Sequence, residues 1–293
     1  FFRRAEPIDP LLASAVRLAL AALLMSPALP RARREGKLSP PTMRWAAVAG
    51  LFYAVHFGTW VASLRMTSVT ASVTLVTATP LLLAVIGWLA GRDAPHARLW
   101  LGLALAAAGT LVIGLADASA STSALGGDVL ALIGAVAMAL ILLVIRRQQA
   151  ELEAVSFSSI AALTGAAVLA LVLVLRGLAM GVWPDVPSLE SLAWVGATAV
   201  VSQLIGHTAL TWATQRTTPT IVGLATTAEP VIAAVVTFLW LAETPSTLVI
   251  VGSAITLLGV IVGMTGRARA HPAEGAQRST TKRRSSDSNE SVL

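Results

Sequence analysis

The chain contains no cysteine. Disulfides, thiolate metal sites and cysteine nucleophiles are therefore excluded. Charge is scarce as well. Lys, Arg, Asp and Glu make up 12% of the 293 residues, against roughly 25% in an ordinary soluble domain. Apolar residues reach 56% and mean hydropathy is +0.77. Too little polar surface is left to cover such a chain in water, so a soluble globular fold is excluded, and so is bulk disorder. The sequence also lacks a phosphate-cradling glycine loop, a Gly-x-Ser-x-Gly elbow, a His-Glu-x-x-His pattern and paired catalytic acids. Catalysis, ATP hydrolysis and a metal site have no motif to stand on, and no cofactor is expected.

Long apolar runs take the place of these features. A helix crosses a bilayer core with roughly 20 apolar residues. Nine stretches meet that length: about 10–29, 45–64, 69–90, 98–116, 128–145, 155–176, 191–213, 218–241 and 246–265. Pro, Gly and Asp mark the gaps, as at Pro40-Pro41, Gly91-Arg92-Asp93 and Gly126-Gly127-Asp128. Residues 117–127 read as a periplasmic linker between 1–116 and 128–266, and 267–293 as a disordered basic tail.

The formal charge of +6 and pI near 11.1 first raise nucleic acid as a partner. Alternating the loops between two sides gives another account. Sixteen of the 21 basic residues fall on the side of the C-terminal tail and four on the other, with Arg17 inside a span. This positive-inside bias predicts a cytoplasmic C-terminus in a cell membrane. The Lys282-Arg283-Arg284 cluster then reads as part of a solvated tail, and no nucleic-acid partner is expected.

A shift of 150 residues superimposes Thr77 on Thr227, Pro80 on Pro230, Pro95 on Pro245, Gly102 on Gly252 and Gly109 on Gly259, with 12 identities over 48 positions. A one-residue slip brings His56 onto His207. The chain is a duplication. The second copy, 128–265, holds five spans. An odd number inverts its topology, the mark of secondary transporters whose site lies near mid-membrane between the halves. The first copy shows four spans and begins at Phe1 rather than Met, so one N-terminal span is expected to be absent. The expected fold is an all-α membrane protein, a multi-span bundle of two inverted five-helix repeats with nine spans present.

The two Thr-rich spans running into proline (SVTASVTLVTATPLLLAVIGWLAG and TTPTIVGLATTAEPVIAAVVTFLWLAE) resemble the EamA-type family of the drug/metabolite transporter superfamily. So do the Gly-spaced spans after them (LGLALAAAGTLVIG and VGSAITLLGVIVG), and Arg17 within LLASAVRLALAALL. Glu229-Pro230 matches the Glu-Pro of that family's second copy, while Gly91-Arg92-Asp93 departs from its usual Gly-Glu ending. The resemblance implies a permease or exporter of small organic metabolites or drugs. It says little about the substrate. A membrane-embedded enzyme and a non-transporting scaffold or channel are the alternatives. The Ala-, Leu- and Arg-rich composition points to a bacterial source.

Ionisable groups inside a bilayer are expensive, so each needs a reason. Glu229 either faces a cavity and handles substrate or protons, or fixes helix packing as a neutral acid. His56 and His207 either relay protons near a ligand or join neighbouring helices by hydrogen bonds. Tyr53, His56 and Trp60 share one helix face, as do Gln203, His207 and Thr211. Thr70, Thr74 and Thr77 form a further stripe, for which packing is the first reading. The candidate substrate-binding residues are Tyr53, His56, Trp60, Thr77, Gln203, His207 and Glu229. Arg17, Pro80 and Pro230 are assigned structural roles, Arg17 by snorkelling or by pairing with a carboxylate such as Glu229. Gly87-x-x-x-Gly91 and Gly259-x-x-x-Gly263 let helices approach closely, within the chain or in a homodimer.

Overall fold

The computed structural model describes residues 5, 7–67, 69–89, 96–115, 124–148, 152–229, 231, 232, 235 and 246–265. Among these every regular element is a helix. In chain order they are α1 (Pro10–Met25), α2 (Leu29–Arg34), α3 (Pro40–Ser63), α4 (Val69–Val76), α5 (Thr79–Leu89), α6 (Ala97–Leu115), α7 (Ala124–Arg147), α8 (Ala154–Met180), α9 (Leu189–Ala197), α10 (Thr208–Thr214), α11 (Pro219–Thr226) and α12 (Thr247–Met264). A short 3-10 turn joins α1 to α2, and a π-helical stretch, Thr198–His207, joins α9 to α10. Six of the resulting rods are long and apolar enough to cross a bilayer: Pro10–Arg34, Pro40–Ser63, Leu125–Arg147, Ala154–Met180, Leu189–Thr214 and Thr247–Met264. The chain is thus a multi-span helical membrane protein.

Polar side chains fix the rod ends. Asp9 caps α1, its Oδ1 accepting from the amides of Leu11 (2.9 Å) and Leu12 (3.1 Å) while Oδ2 accepts from Arg176 at the far end of α8 (2.8 Å). Ser39, Ser188 and Ser246 cap α3, α9 and α12. Gly181, at φ 67°, ends α8 in a left-handed turn that a side chain would strain.

Two features differ from the sequence expectation. The stretch 69–90 is not one rod but two, α4 and α5, broken just before Pro80. Proline carries no N–H, so the Val76 carbonyl loses its ordinary helical donor. The Thr79 hydroxyl donates to that carbonyl instead, at 2.8 Å. Helix α7 also begins at Ala124, inside the stretch read as a linker. The span 218–241 is described as α11 and onward to Glu229, with three positions beyond. Pro230, the side chains of Thr70 and Thr74, Gly91-Arg92-Asp93, Pro245, residues 117–123 of the linker and the tail 267–293 lie outside the described residues.

The rods pair antiparallel in three places. Helix α1 runs along α8, with Leu18 against Gly165 and Ser159 donating to the Ala22 carbonyl (3.2 Å). Helix α3 runs along α7, from Trp45 beneath the Arg147 guanidinium to His56 at Gly134. The main core, including Leu18, Tyr53, Phe57, Ile141, Ile145 and Phe157, lies among these four helices. Helix α6 runs along α12 through a seam of glycines, Gly102 facing Gly259 and Gly263, and Gly109 facing Gly252 and Thr256. A Cβ on Gly109 would stand 2.4 Å from the Thr256 amide nitrogen, and one on Gly259 would stand 2.4 Å from that of Ala106. Backbones meet directly there, as small residues permit in a lipid environment. Within the chain Gly259 packs against Gly102 and Ala106 of α6, and Gly263 against Leu224 of α11 and Leu99 and Gly102 of α6.

Candidate functional site

A cavity of about 280 Å³ lies where α3, the α4–α5 break, α7, the π-helical stretch and the end of α11 converge. Helix α3 contributes His56 and Trp60, and the break contributes Val76, Thr77 and Thr79. Met138 and Leu142 come from α7, Ser202, Gly206, His207 and Leu210 from the Leu189–Thr214 rod, and Thr226 and Glu229 from the α11 end. Five of the seven candidate binding residues meet here: His56, Trp60, Thr77, His207 and Glu229. Glu229 lines the cavity at the end of α11.

The two histidines approach each other as their near-equivalent sequence positions suggest, with ring centroids 6.5 Å apart at 64°. His56 Nδ1 lies 2.8 Å from the Gly134 carbonyl oxygen. A carbonyl can only accept, so Nδ1 carries the proton, and in the neutral ring Nε2 is left as an acceptor. His56 stacks on Trp60 at 5.9 Å and 16°. His207 meets the edges of Tyr53 (5.6 Å, 85°) and Phe57 (5.3 Å, 79°). Its Nδ1 is buried with no hydrogen-bond partner among the described residues.

Tyr53 and Gln203, both 0% exposed, stand behind the cavity wall rather than on it. Gln203 belongs to a network around Arg17, which is 1% exposed and so does not snorkel to an interface. Arg17 Nη2 donates to Gln203 Oε1 (2.9 Å) and Ser202 Oγ (3.1 Å), and its guanidinium lies 4.1 Å above the Phe57 ring. These contacts tie α1 to α3 and to the π-helical stretch. Thr211 continues the network, donating to the His207 carbonyl (2.8 Å) and accepting from Ser158 (3.2 Å). A π-helical turn is rare and recurs at functional sites. Here it spans Ser202, Gln203 and His207 together.

Sequence reading missed Val76, Thr79, Met138, Leu142, Ser202, Gly206, Leu210 and Thr226 as wall residues. Thr79 carried a signal in its place before Pro80. Met138, Leu142 and Leu210 carried none, since apolar residues in apolar helices look alike whichever way they face.

A bundle of membrane-crossing helices around a cavity that carries a few ionisable groups, with a broken helix at its wall, is the architecture of a transporter. The comparisons place the chain within that class. It matches the EamA-like transporter family over residues 1–115 and 125–265, and it belongs to that family of drug/metabolite-type membrane transporters. No curated protein matches it. A solved structure, described only as the crystal structure of a protein, has the same fold, with a TM-score of 0.70 and 18% identity over 89% of this chain and 90% of that one. The family consists of transporters rather than enzymes.

Proposed function

We propose that the protein is a secondary transporter that moves small organic metabolites or drugs across the cytoplasmic membrane of a bacterium by alternating access. The observation that carries this reading is the cavity in which Glu229, His56 and His207 converge beside a broken helix. Charged and imidazole groups are costly in a bilayer unless they face a water-accessible path. In this reading the two halves are inverted repeats, supported by the Thr77/Thr227 and Pro80/Pro230 correspondence and by the antiparallel pairing of α6 with α12. The C-terminus is cytoplasmic, as the distribution of basic residues favours.

Reconstituted in proteoliposomes, the protein should show saturable counterflow of a transported solute. Glu229→Gln should lower that flux about tenfold or more, 1.4 kcal/mol in transport barrier, while the protein still inserts. Unchanged flux in that variant removes Glu229 from the mechanism. Alkaline phosphatase fused after Leu293 should be inactive in cells; a bright fusion reverses the orientation.

A further inference from the structure

A second hollow, of about 700 Å³, opens at one end of the bundle between the start of α8, the Leu189–Thr214 rod and the loop before α3. Its mouth is charged. Lys37 precedes α3, Glu153 is the capping residue of α8, and Arg216 follows α10, so all three lie where rods end. Further along the rod the lining turns apolar, with Leu204, Ile205 and Ala209. Ile205 is 61% exposed and Trp212 54%, so the hollow opens on the flank of the bundle. Ile205 and Arg216 are 11 positions apart in the chain, roughly 16 Å of helix at 1.5 Å per residue.

The charges at the mouth do not cancel. The Arg216 guanidinium lies 4.2 Å over the Trp212 ring and donates from Nη1 to the Trp212 carbonyl (3.1 Å). Among the described residues it has no carboxylate partner. Lys37 Nζ lies 2.7 Å from Glu35 Oε2, and Arg31 Nε lies 2.8 Å from Glu35 Oε1. Glu153 accepts from the Ser156 hydroxyl (3.2 Å). The groups that line the hollow and their ion-pair partners are thus three cations, Arg31, Lys37 and Arg216, and two carboxylates, Glu35 and Glu153. One positive charge is left over.

We propose that this hollow seats one glycerophospholipid of the surrounding bilayer. Its phosphodiester lies at Arg216 and Lys37, and one acyl chain lies along Ala209, Ile205 and Leu204. A phosphodiester carries a single negative charge and oxygens that only accept, which matches a surplus positive charge and a guanidinium fork. Basic hollows between helices at a membrane boundary take lipid heads for this reason. A free phosphate would meet the cations but leave the apolar length uncovered. A diacylglycerol would fill the length and leave the cations unmatched. Leu204 and Ile205 belong to the π-helical stretch whose Ser202 and His207 line the cavity, so the acyl chain leans on the back of that wall.

The test uses the purified full-length chain, delipidated in dodecyl maltoside and titrated with dioleoylphosphatidylglycerol, dioleoylglycerol and inorganic phosphate. Complexes are counted by native mass spectrometry. The first phospholipid should be held at least about tenfold more tightly than dioleoylglycerol, and inorganic phosphate should not displace it. Arg216→Gln should weaken the phospholipid about tenfold, because a charge-assisted contact is lost. Arg44→Gln, which removes the same charge from an exposed position near the start of α3, should leave binding unchanged. If Arg216→Gln loses the wild-type gel-filtration profile, Lys37→Gln serves instead and should weaken the phospholipid severalfold. Equal binding of dioleoylglycerol removes the phosphodiester from the argument, and displacement by inorganic phosphate makes the mouth a free-anion site. Equal losses in the Arg216 and Arg44 variants reduce the effect to the general basic surface. Each of these outcomes overturns the proposal, as does an absence of phospholipid binding.

Discussion

Two regions of this molecule solve the problem of helix association in lipid by opposite means. The α6–α12 seam has almost no side chains: Gly102, Gly109, Gly252 and Gly259 bring backbones together, and van der Waals contact does the rest. The wall formed by α1, α3 and the π-helical stretch is built from side chains, with one guanidinium reaching two helices at once. The seam is intolerant of volume and indifferent to polarity. The wall is intolerant of a lost donor or acceptor, because a polar group buried without its partner costs more than the pair contributes when intact. A seam of the first kind holds a fixed angle, while a network of the second kind can exchange partners.

The contrast is open to direct attack. The largest effect is expected from Gly109→Leu or Gly259→Leu. Each drives a side chain into facing backbone at distances already below contact for a Cβ alone, and no neighbouring side chain can rotate away. Little folded protein should be recovered on gel filtration, whereas Gly109→Ala should survive with a loss of about 3 kcal/mol, read from the detergent melting temperature. Arg17→Ala comes next. It strips Gln203 and Ser202 of a charged donor and should cost about 2–3 kcal/mol. It should also lower flux, an effect the seam variants that still fold should not share. Ser14→Ala removes one hydroxyl that donates to the Pro10 carbonyl (2.8 Å) and lies 3.3 Å from that of Phe57. About 1 kcal/mol is expected there.

The smallest effect lies outside both regions. Arg31 and Lys37 flank the Glu35 carboxylate at 2.8 and 2.7 Å and hold it at about 2, first through hydrogen bonds from Arg31 and Lys37. A depressed carboxylate stabilises above its ordinary value of 4.5 and loses that contribution as pH falls toward 2. The site is fully solvated, so Arg31→Ala should leave the melting temperature unchanged at neutral pH and physiological salt. A measurable drop would show that this surface cluster holds α2 in place.

Most of the fold was legible because a bilayer demands long apolar runs and short punctuated gaps, and the sequence has both. The break before Pro80 went unread, because 69–90 has the length and hydropathy of a single span. Proline announces a lost donor, yet only the structure shows Thr79 filling in and α4 ending at Val76. At the candidate site, spacing identified His56, Trp60 and His207 because polar and aromatic residues are scarce in these spans. It misplaced Tyr53 and Gln203 by one layer, since facing inward and lining a void are the same statement at the level of helical periodicity. The π-helical stretch alters that periodicity, and nothing in TAVVSQLIGH signals it.

The Thr79 substitution for a missing backbone donor has a mechanical consequence. In an unbroken helix, bending requires peptide bonds to give up their partners, several at a time. Between α4 and α5 the backbone keeps bonds from Thr77 to Val73 and from Ala78 to Leu75, while the Val76 carbonyl is held by a hydroxyl on a single rotatable bond. Turning that bond swings the strut aside and returns it without disturbing the ladder on either flank. The span thus has one exchangeable strut among fixed ones, placed at the edge of the cavity its Thr77 and Thr79 help to line.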